Sequence, residues 1–92
     1  MAISPSVTSV EDCLVGAETA LSEYPPQVEL AISFFENGLK INENSVDLLE
    51  QFGELCANLA ENDKGIYLFE RVLQLNPLRA RPYFYLGQMK SG

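Results

Sequence analysis

The sequence resembles itself when it is shifted by 34 residues. Eleven pairs of residues matched by this shift are similar in chemical character, and six of these pairs are identical. The matched pairs are Ala31 and Gly65, Ile32 and Ile66, Phe35 and Phe69, Glu36 and Glu70, Leu39 and Leu73, Ile41 and Leu75, Asn42 and Asn76, Val46 and Ala80, Leu49 and Tyr83, Phe52 and Leu86, and Gly53 and Gly87. A period of this length is typical of repeats built from two helices. Because one helix pair cannot bury its own apolar face, the period predicts an all-α chain of stacked, antiparallel helix pairs.

Apolar residues recur at helical spacing in five segments, and no segment alternates as a strand would. The clearest stripe is Val28, Ala31, Ile32, Phe35 and Leu39, at positions i, i+3, i+4, i+7 and i+11. Such a stripe buries one face of a helix against a neighbour. The sequence therefore predicts five short helices.

Capping and turn residues set the expected bounds of these helices. The first helix opens at a capping box of Thr8 and Glu11 and ends at Tyr24-Pro25-Pro26, and the second opens at Pro26 and ends near Ile41. The third helix follows the N-cap Ser45, and the fourth follows the turn Asn62-Asp63 and ends at Asn76-Pro77. The fifth helix runs from about Arg79 to Lys90, with Pro82 in its first turn. The inward residues predicted for the last three helices are Leu48, Leu49, Phe52, Leu55, Cys56 and Leu59, then Ile66, Phe69, Val72 and Leu73, and finally Tyr83 and Leu86.

Small, aromatic and proline residues recur in a fixed order in the central repeat. Between Val46 and Arg79 these are Leu49, Phe52-Gly53, Cys56, Gly65, Phe69, Val72 and Pro77. This order resembles the tetratricopeptide repeat family. The resemblance implies about two and a half repeats: residues 9–43 as a degenerate repeat with Thr19 where Gly is usual, residues 46–79 as a full repeat, and residues 80–92 as the first helix of a third. It places residues 9–92 in one domain that follows a flexible leader of residues 1–8.

The composition excludes most enzyme chemistry. The chain has no His and only two Cys, which stand 43 positions apart, so it lacks an imidazole base, a four-thiolate zinc site and a CxxC pair. We therefore expect no enzymatic activity, no catalytic residue, no metal and no cofactor. The net charge of −7 disfavours nucleic acids and anionic membranes as partners, because both need clustered Lys and Arg.

The sequence also favours a reducing compartment. The first residues lack the basic and apolar regions of a secretory signal, and no run approaches the roughly 20 apolar residues that span a bilayer. Two Cys without an evident disulfide agree with this interpretation. We expect a cytoplasmic protein, with the nucleus as the alternative.

Acidic residues are concentrated in the first two thirds of the chain. Residues 1–62 contain 11 acidic residues and a single Lys, whereas residues 63–92 contain two acidic and five basic residues. Asp47, Glu50 and Glu54 follow one another at i, i+3 and i+7, and would form one carboxylate stripe on the third helix. The resemblance places this stripe in a concave groove, where it would attract the Lys or Arg residues of an extended segment. The alternative is a solvated polar face.

The candidate partner-binding residues lie on the third and fifth helices. They are Asp47, Glu50, Gln51, Glu54, Asn58, Arg81, Phe84, Tyr85 and Gln88. Phe84 and Tyr85 exceed the aromatic surface that one helix needs for its core. They either anchor a partner or pack on a further helix.

These residues indicate a non-catalytic protein–protein interaction module that binds an extended, basic segment of a partner protein. A narrower hypothesis comes from the segment 83–92 after Leu-Asn-Pro, which is similar to acidic tetratricopeptide assembly chaperones of ribosomal proteins and implies a basic ribosomal protein as partner. The competing hypothesis is a structural scaffold that self-associates. Salt should weaken the basic-segment complex and leave apolar self-association intact.

The third repeat lacks its second helix, which leaves three alternatives. The chain is a fragment of a longer repeat protein, or its last helix is a terminal cap, or a second copy covers that helix in a homodimer.

Overall fold

The computed structural model of the chain describes residues 9–91, with side chains as far as residue 89. Within this part of the chain every regular element is an α-helix. The helices are α1 (Val10–Leu21), α2 (Val28–Ile41), α3 (Val46–Asn58), α4 (Asn62–Leu75) and α5 (Arg81–Ser91). α1 packs on α2, α3 packs on α4, and α5 contacts both α4 and α3. The prediction of an all-α fold with five helices in packed pairs is confirmed, and the predicted leader lies outside the described residues.

Ser9 caps the N-terminus of α1, whereas the sequence pattern pointed to Thr8. The Ser9 side chain accepts a hydrogen bond from Asp12 N at 3.2 Å, which satisfies one of the N–H groups that a first helical turn leaves open. Glu11 and Asp12 both lie in that turn, where the helix dipole favours carboxylates. The start of α1 is thus set by an N-cap one residue later than predicted.

The connection between α1 and α2 is longer than the sequence pattern suggested. The prediction that α2 opens at Pro26 is wrong, because the helix begins at Val28. Gln27 N donates to Ala20 O at 2.8 Å, which holds the connecting backbone against the end of α1. The second helix can therefore begin only after Gln27. The connection therefore spans residues 22–27, twice the length of the connection 59–61 between α3 and α4.

α1 and α2 form the first of two compact units, Met1–Ser45. Most of the buried residues that the two helices share are small, and Phe35 carries the one large ring among these buried residues. The buried residues are Cys13, Ala17 and Ala20 from α1, and Ala31, Phe35 and Gly38 from α2. Small side chains let the two helix axes approach closely, while Phe35 fills the space between them.

The longer connection changes which residue of α1 corresponds to Gly53 of the central repeat. Thr19, which the 34-residue shift sets against Gly53, is exposed, whereas Ala17 is buried. The buried residues of α1 match Leu49, Gly53 and Cys56 of α3 when the shift is 36 residues. The interpretation of Thr19 as a degenerate substitute for Gly is therefore wrong, because the register of α1 moves with the length of the loop.

The second unit, Val46–Gly92, contains α3, α4 and α5. α3 ends at Asn58, since Ala60 takes a left-handed conformation with φ of 63° and Glu61 N donates back to Cys56 O at 2.9 Å. Leu59, predicted on the apolar face of α3, consequently lies in the turn and is exposed. Asn62, predicted in the turn, is the first residue of α4.

The ring of Phe69 joins the three helices of the second unit. A Cβ atom added to Gly53 on α3 would lie 3.0 Å from this ring, so the absence of a side chain is what allows α3 and α4 to approach. Phe69 is fully buried and stacks on Tyr85 of α5, with ring centroids 5.1 Å apart and planes 6° apart. Met89 of α5 packs over Gly65, where an added Cβ would be 3.1 Å from the Met89 sulfur.

α5 turns a different face to the core than the sequence predicts. Leu86 is buried as expected, but Tyr83 is 57% exposed and Tyr85 takes its place inside by stacking on Phe69. The inward residues Pro82, Tyr85, Leu86 and Met89 follow the spacing i, i+3, i+4 and i+7 of a helical stripe. Of the predicted core pair, Leu86 is therefore confirmed and Tyr83 is wrong. Because three consecutive residues of α5 are aromatic, the sequence pattern does not indicate which face of this helix packs on the core.

A pair of glycine substitutions tests this packing. Gly53→Ala should lower the free energy of unfolding by about 1 kcal/mol, because overpacking of about 1–3 kcal/mol exceeds a gain of about 1 kcal/mol in helix propensity. The Phe69 ring has little room to shift, since it is fully buried and Tyr85 stacks on it. Gly87→Ala should instead raise stability by up to about 1 kcal/mol, because among the described residues its Cβ would meet no heavy atom within 4 Å. Urea denaturation measures both, and effects of the same sign would contradict the packing.

Candidate functional site

The three carboxylates predicted on α3 form one stripe, but their burial differs. Asp47 is exposed in the first turn of the helix, Glu54 is half-buried, and Glu50 is only 7% exposed. Burying a carboxylate is costly unless hydrogen bonds and an opposite charge compensate it. Glu50 must therefore have a partner that the sequence analysis did not name.

Arg79, which precedes α5, is that partner. Its Nη2 donates to Glu50 Oε1 at 2.7 Å and its Nε donates to Glu50 Oε2 at 3.3 Å, which is the two-pronged geometry that a guanidinium prefers with a carboxylate. Nη2 also donates to Asp47 Oδ1 at 3.2 Å. One guanidinium thus links two carboxylates of α3 to the start of α5.

Arg81 completes the arrangement at the third carboxylate. Its Nη1 donates to Glu54 Oε2 at 2.6 Å. The Arg81 side chain is 58% exposed, whereas that of Arg79 is 33% exposed. We name the five residues Asp47, Glu50, Glu54, Arg79 and Arg81 the α3–α5 ion network.

The ion network corrects the expectation of an open acidic surface. Each carboxylate of the predicted stripe is bound by an arginine of the same unit. The hydrogen bond to Glu50 is the main cause that raises the pKa of Arg79, and the hydrogen bond to Glu54 is the main cause that raises the pKa of Arg81. Both arginines therefore stay charged, and Glu50 belongs to the structure of the unit rather than to a free binding surface.

The network also supports the N-terminus of α5. This helix has no acidic residue in its first turn and carries Arg81 there, although the positive end of a helix dipole disfavours a cation. Glu54 and Glu50 place negative charge beside that terminus from α3. The carboxylates of α3 thus supply the charge that α5 lacks.

The other predicted partner-binding residues have different surroundings. Gln51 is half-buried, and Asn58 and Gln88 are exposed. Phe84 is exposed and contacts the ring of Tyr85 edge to face, with centroids 5.4 Å apart. Tyr85 faces the core, so it is not available as an exposed anchor. Whether the exposed residues contact a partner stays a prediction.

Sequence reasoning missed Arg79 as a site residue, although a signal was present. Arg79 stands one repeat period after Ser45, the residue before α3. Because successive repeats place their first helices side by side, a residue just before α5 should lie near the first turns of α3, where Asp47 and Glu50 stand. The concentration of basic residues after residue 62 also indicates that this part of the chain supplies the cations for the carboxylates of α3.

The two cysteines offer no reactive thiol in the described part of the chain. Cys13 and Cys56 are both free and buried. Burial is the main cause that raises the pKa of each thiol, with Asp12 adding to the effect at Cys13. Residues 9–91 also contain no cluster of three or more acidic or Cys side chains placed to hold a metal ion.

Comparison with known proteins adds no relative. No model of a known protein family matches the chain, and no curated protein matches it. None of the helices that the structure describes is long and apolar enough to cross a membrane. The chain's own residues are therefore the basis for assigning its function.

Arginine substitutions test the ion network. Arg79→Ala should lower the free energy of unfolding by about 1–3 kcal/mol, because it leaves the buried carboxylate of Glu50 without its charged donor. Arg81→Ala is the matched control, with a clearly smaller expected loss because its ion pair lies near the surface. Equal losses in urea denaturation would show that Glu50 is not held by Arg79.

The thiols give a pH-dependent prediction. A thiol whose pKa is raised by folding contributes stability below its unfolded pKa of about 8.5, and that contribution is lost as the pH rises through the folded pKa. The free energy of unfolding should therefore fall between pH 7 and pH 10, and fall less in the Cys13→Ala/Cys56→Ala variant. Identical pH profiles of the two proteins would contradict the burial of the thiols.

Proposed function

We propose that the chain is a non-catalytic protein–protein interaction module that binds an extended, arginine-bearing segment of a partner along the carboxylates of α3. One observation carries this proposal. The stripe receives two guanidinium groups from the short segment Arg79-Ala80-Arg81, so its spacing fits arginines that stand two residues apart. A partner segment with two arginines at the same spacing could donate hydrogen bonds to these carboxylates in the same way.

The exposed part of the ion network is the part that can exchange. The side chain of Asp47 is 64% exposed, and Arg79 leaves one of its oxygens to other donors. The contact of Arg81 with Glu54 lies near the surface, where an ion pair contributes little and competing cations displace it. We infer that a partner's arginine adds to Asp47 and replaces Arg81 on Glu54, while Arg79 stays on Glu50.

The tetratricopeptide resemblance supports the same class of function. The close approach of Gly53 to Phe69 and the packing of α5 on α4 are what a helix-pair repeat requires. Helical repeats present long surfaces that suit extended partner segments. An assembly chaperone for a basic ribosomal protein is a narrower form of this proposal, and the acidic surplus of the chain is what supports it.

A charge-matched pair of variants tests the proposal. The probe is a fluorescent, unstructured peptide of alternating Arg and Ala residues, and fluorescence anisotropy reports its affinity. Asp47→Asn/Glu54→Gln should weaken binding at least tenfold, because each lost carboxylate removes a charge-assisted hydrogen bond of about 1–3 kcal/mol. Raising the salt from low to high concentration should weaken binding to the unchanged protein as well.

The control variant is Glu18→Gln/Glu29→Gln, which removes two exposed carboxylates of the first unit and the same net charge. It should keep most of the affinity. If both double variants bind the peptide equally, the total charge attracts it and the α3 stripe is not the binding site.

A further inference from the structure

A groove with mostly apolar walls lies between α1 and α2 of the first unit. It encloses about 430 Å³, which is within the size range of pockets that bind ligands. Gly16 and Ala20 line it from α1, and Leu30 and Phe34 line it from α2. Glu23, which follows the end of α1, is a charged residue of its lining. The groove therefore belongs to the first unit alone and is separate from the α3–α5 ion network.

Gly16 and Phe34 shape this groove. A Cβ atom added to Gly16 would lie 2.6 Å from Phe34 Cε1, so the ring can lie against the backbone of α1 only because position 16 has no side chain. Phe34 is half-buried, and Leu30, one turn before it, is 48% exposed. The two side chains of α2 therefore form an apolar wall that solvent reaches.

The walls of the groove repeat once per helical turn. Gly16 and Ala20 on α1 stand four residues apart, as do Leu30 and Phe34 on α2, which is about 6 Å along each helix axis. The apolar residues of an amphipathic helix recur at the same interval, and such helices bind in grooves through anchors one turn apart. The spacing of the walls therefore suits a helix that lies along the groove.

Two exposed carboxylates lie along the α1 side of the groove. Glu23 lines it beyond the end of α1, and Asp12 stands one turn before Gly16 on the same row of the helix. In the described part of the chain neither carboxylate takes part in an ion pair, in contrast to the carboxylates of α3. The first 45 residues contain seven acidic residues, all of them exposed, and a single Lys. The surroundings of the groove are therefore strongly acidic.

This charge decides between the possible occupants of the groove. A second copy of the chain would bring the same acidic residues together, which is unfavourable. Residues 1–8, which lie outside the described part of the chain, contain no Lys or Arg that could pair with Asp12 or Glu23. A partner helix with Lys or Arg at both ends of its apolar stripe complements the apolar walls and both carboxylates.

We propose that the groove between α1 and α2 docks an amphipathic, basic helix of a partner protein. The apolar residues of that helix pack between Gly16 and Phe34, and its basic residues bind Asp12 and Glu23. This proposal does not depend on the arginine-segment proposal, because it uses other residues, another unit and a helix in place of an extended segment.

A fluorescent peptide provides the probe. It is a helix of Ala and Gln about four turns long, with Leu and Phe in one stripe and a Lys at each end of that stripe. Fluorescence anisotropy measures its affinity for the full chain. The chain should bind this peptide, and replacing both Lys by Gln should weaken binding about three- to tenfold at low salt. No binding at about 1 mM peptide, or equal binding of the Gln peptide, would overturn the proposal.

A charge-matched pair of variants tests the contact with the two carboxylates. Asp12→Asn/Glu23→Gln should weaken binding of the Lys peptide about three- to tenfold at low salt. Glu18→Gln/Glu29→Gln removes the same net charge, and like the first variant it removes one carboxylate from the first turn of a helix. It should keep most of the affinity. Equal binding by the two variants would show that the total charge attracts the peptide, and would overturn the proposal.

A second pair of variants tests the position of the peptide. Thr19→Trp places a large ring at an exposed position that lines the groove, and should weaken binding at least about tenfold. Gln74→Trp places the same ring at an exposed position of α4 and should leave binding unchanged. If both variants bind the peptide equally, the peptide does not lie in the groove and the proposal is wrong.

Further measurements test the other occupants. If sedimentation shows a dimer that Thr19→Trp dissociates, a second copy occupies the groove. If Ile3→Ser/Val7→Ser binds the peptide at least about tenfold more tightly, the chain's own first residues occupy it. Either result overturns the assignment to a partner helix. Asp47→Asn/Glu54→Gln should leave the Lys peptide bound, so failure of the arginine-segment proposal and failure of this one give different results.

Discussion

The contacts of the Phe69 ring with Gly53 of α3 and with Tyr85 of α5 determine the structure of the second unit. They fix the distance between α3 and α4, because any side chain at position 53 would push the ring away. They also fix α5, whose Tyr85 stacks on the same ring. Once α5 lies there, Arg79 and Arg81 at its start come within hydrogen-bond distance of the carboxylates of α3. The ion network is therefore a consequence of apolar packing, and its geometry depends on that packing.

This order of dependence changes the meaning of the acidic composition. A net charge of −7 suggested an exposed acidic surface, yet the carboxylates at the centre of that surface are bound by arginines of the same unit. Glu50 is structural, and Asp47 and Glu54 are the members that solvent reaches. The proposed function uses only these accessible carboxylates.

Much of the fold could be predicted because it depends on local patterns. The stripe of α2 from Val28 to Leu39 and the turn at Asn76 follow from spacing and from proline chemistry, and both agree with the helices observed. The register of α1 could not be predicted, since it depends on the backbone hydrogen bond from Gln27 to Ala20 that lengthens the loop. The inward face of α5 was ambiguous for another reason. Tyr83, Phe84 and Tyr85 are consecutive aromatic residues, and only the position of Phe69 decides which one faces the core. The pairing of Arg79 with Glu50 spans 29 residues and depends on tertiary packing.

The central claim is that packing on Phe69 positions the arginines on the carboxylates, and a double-mutant cycle tests it most directly. The coupling free energy between Glu50→Gln and Arg79→Ala is measured by urea denaturation, first in the unchanged chain and then in a Tyr85→Leu background that removes the stacked ring. We expect a coupling of about 1–3 kcal/mol in the unchanged chain and a much smaller one without Tyr85. A coupling near zero in the unchanged chain, or the same coupling in both backgrounds, would contradict the account.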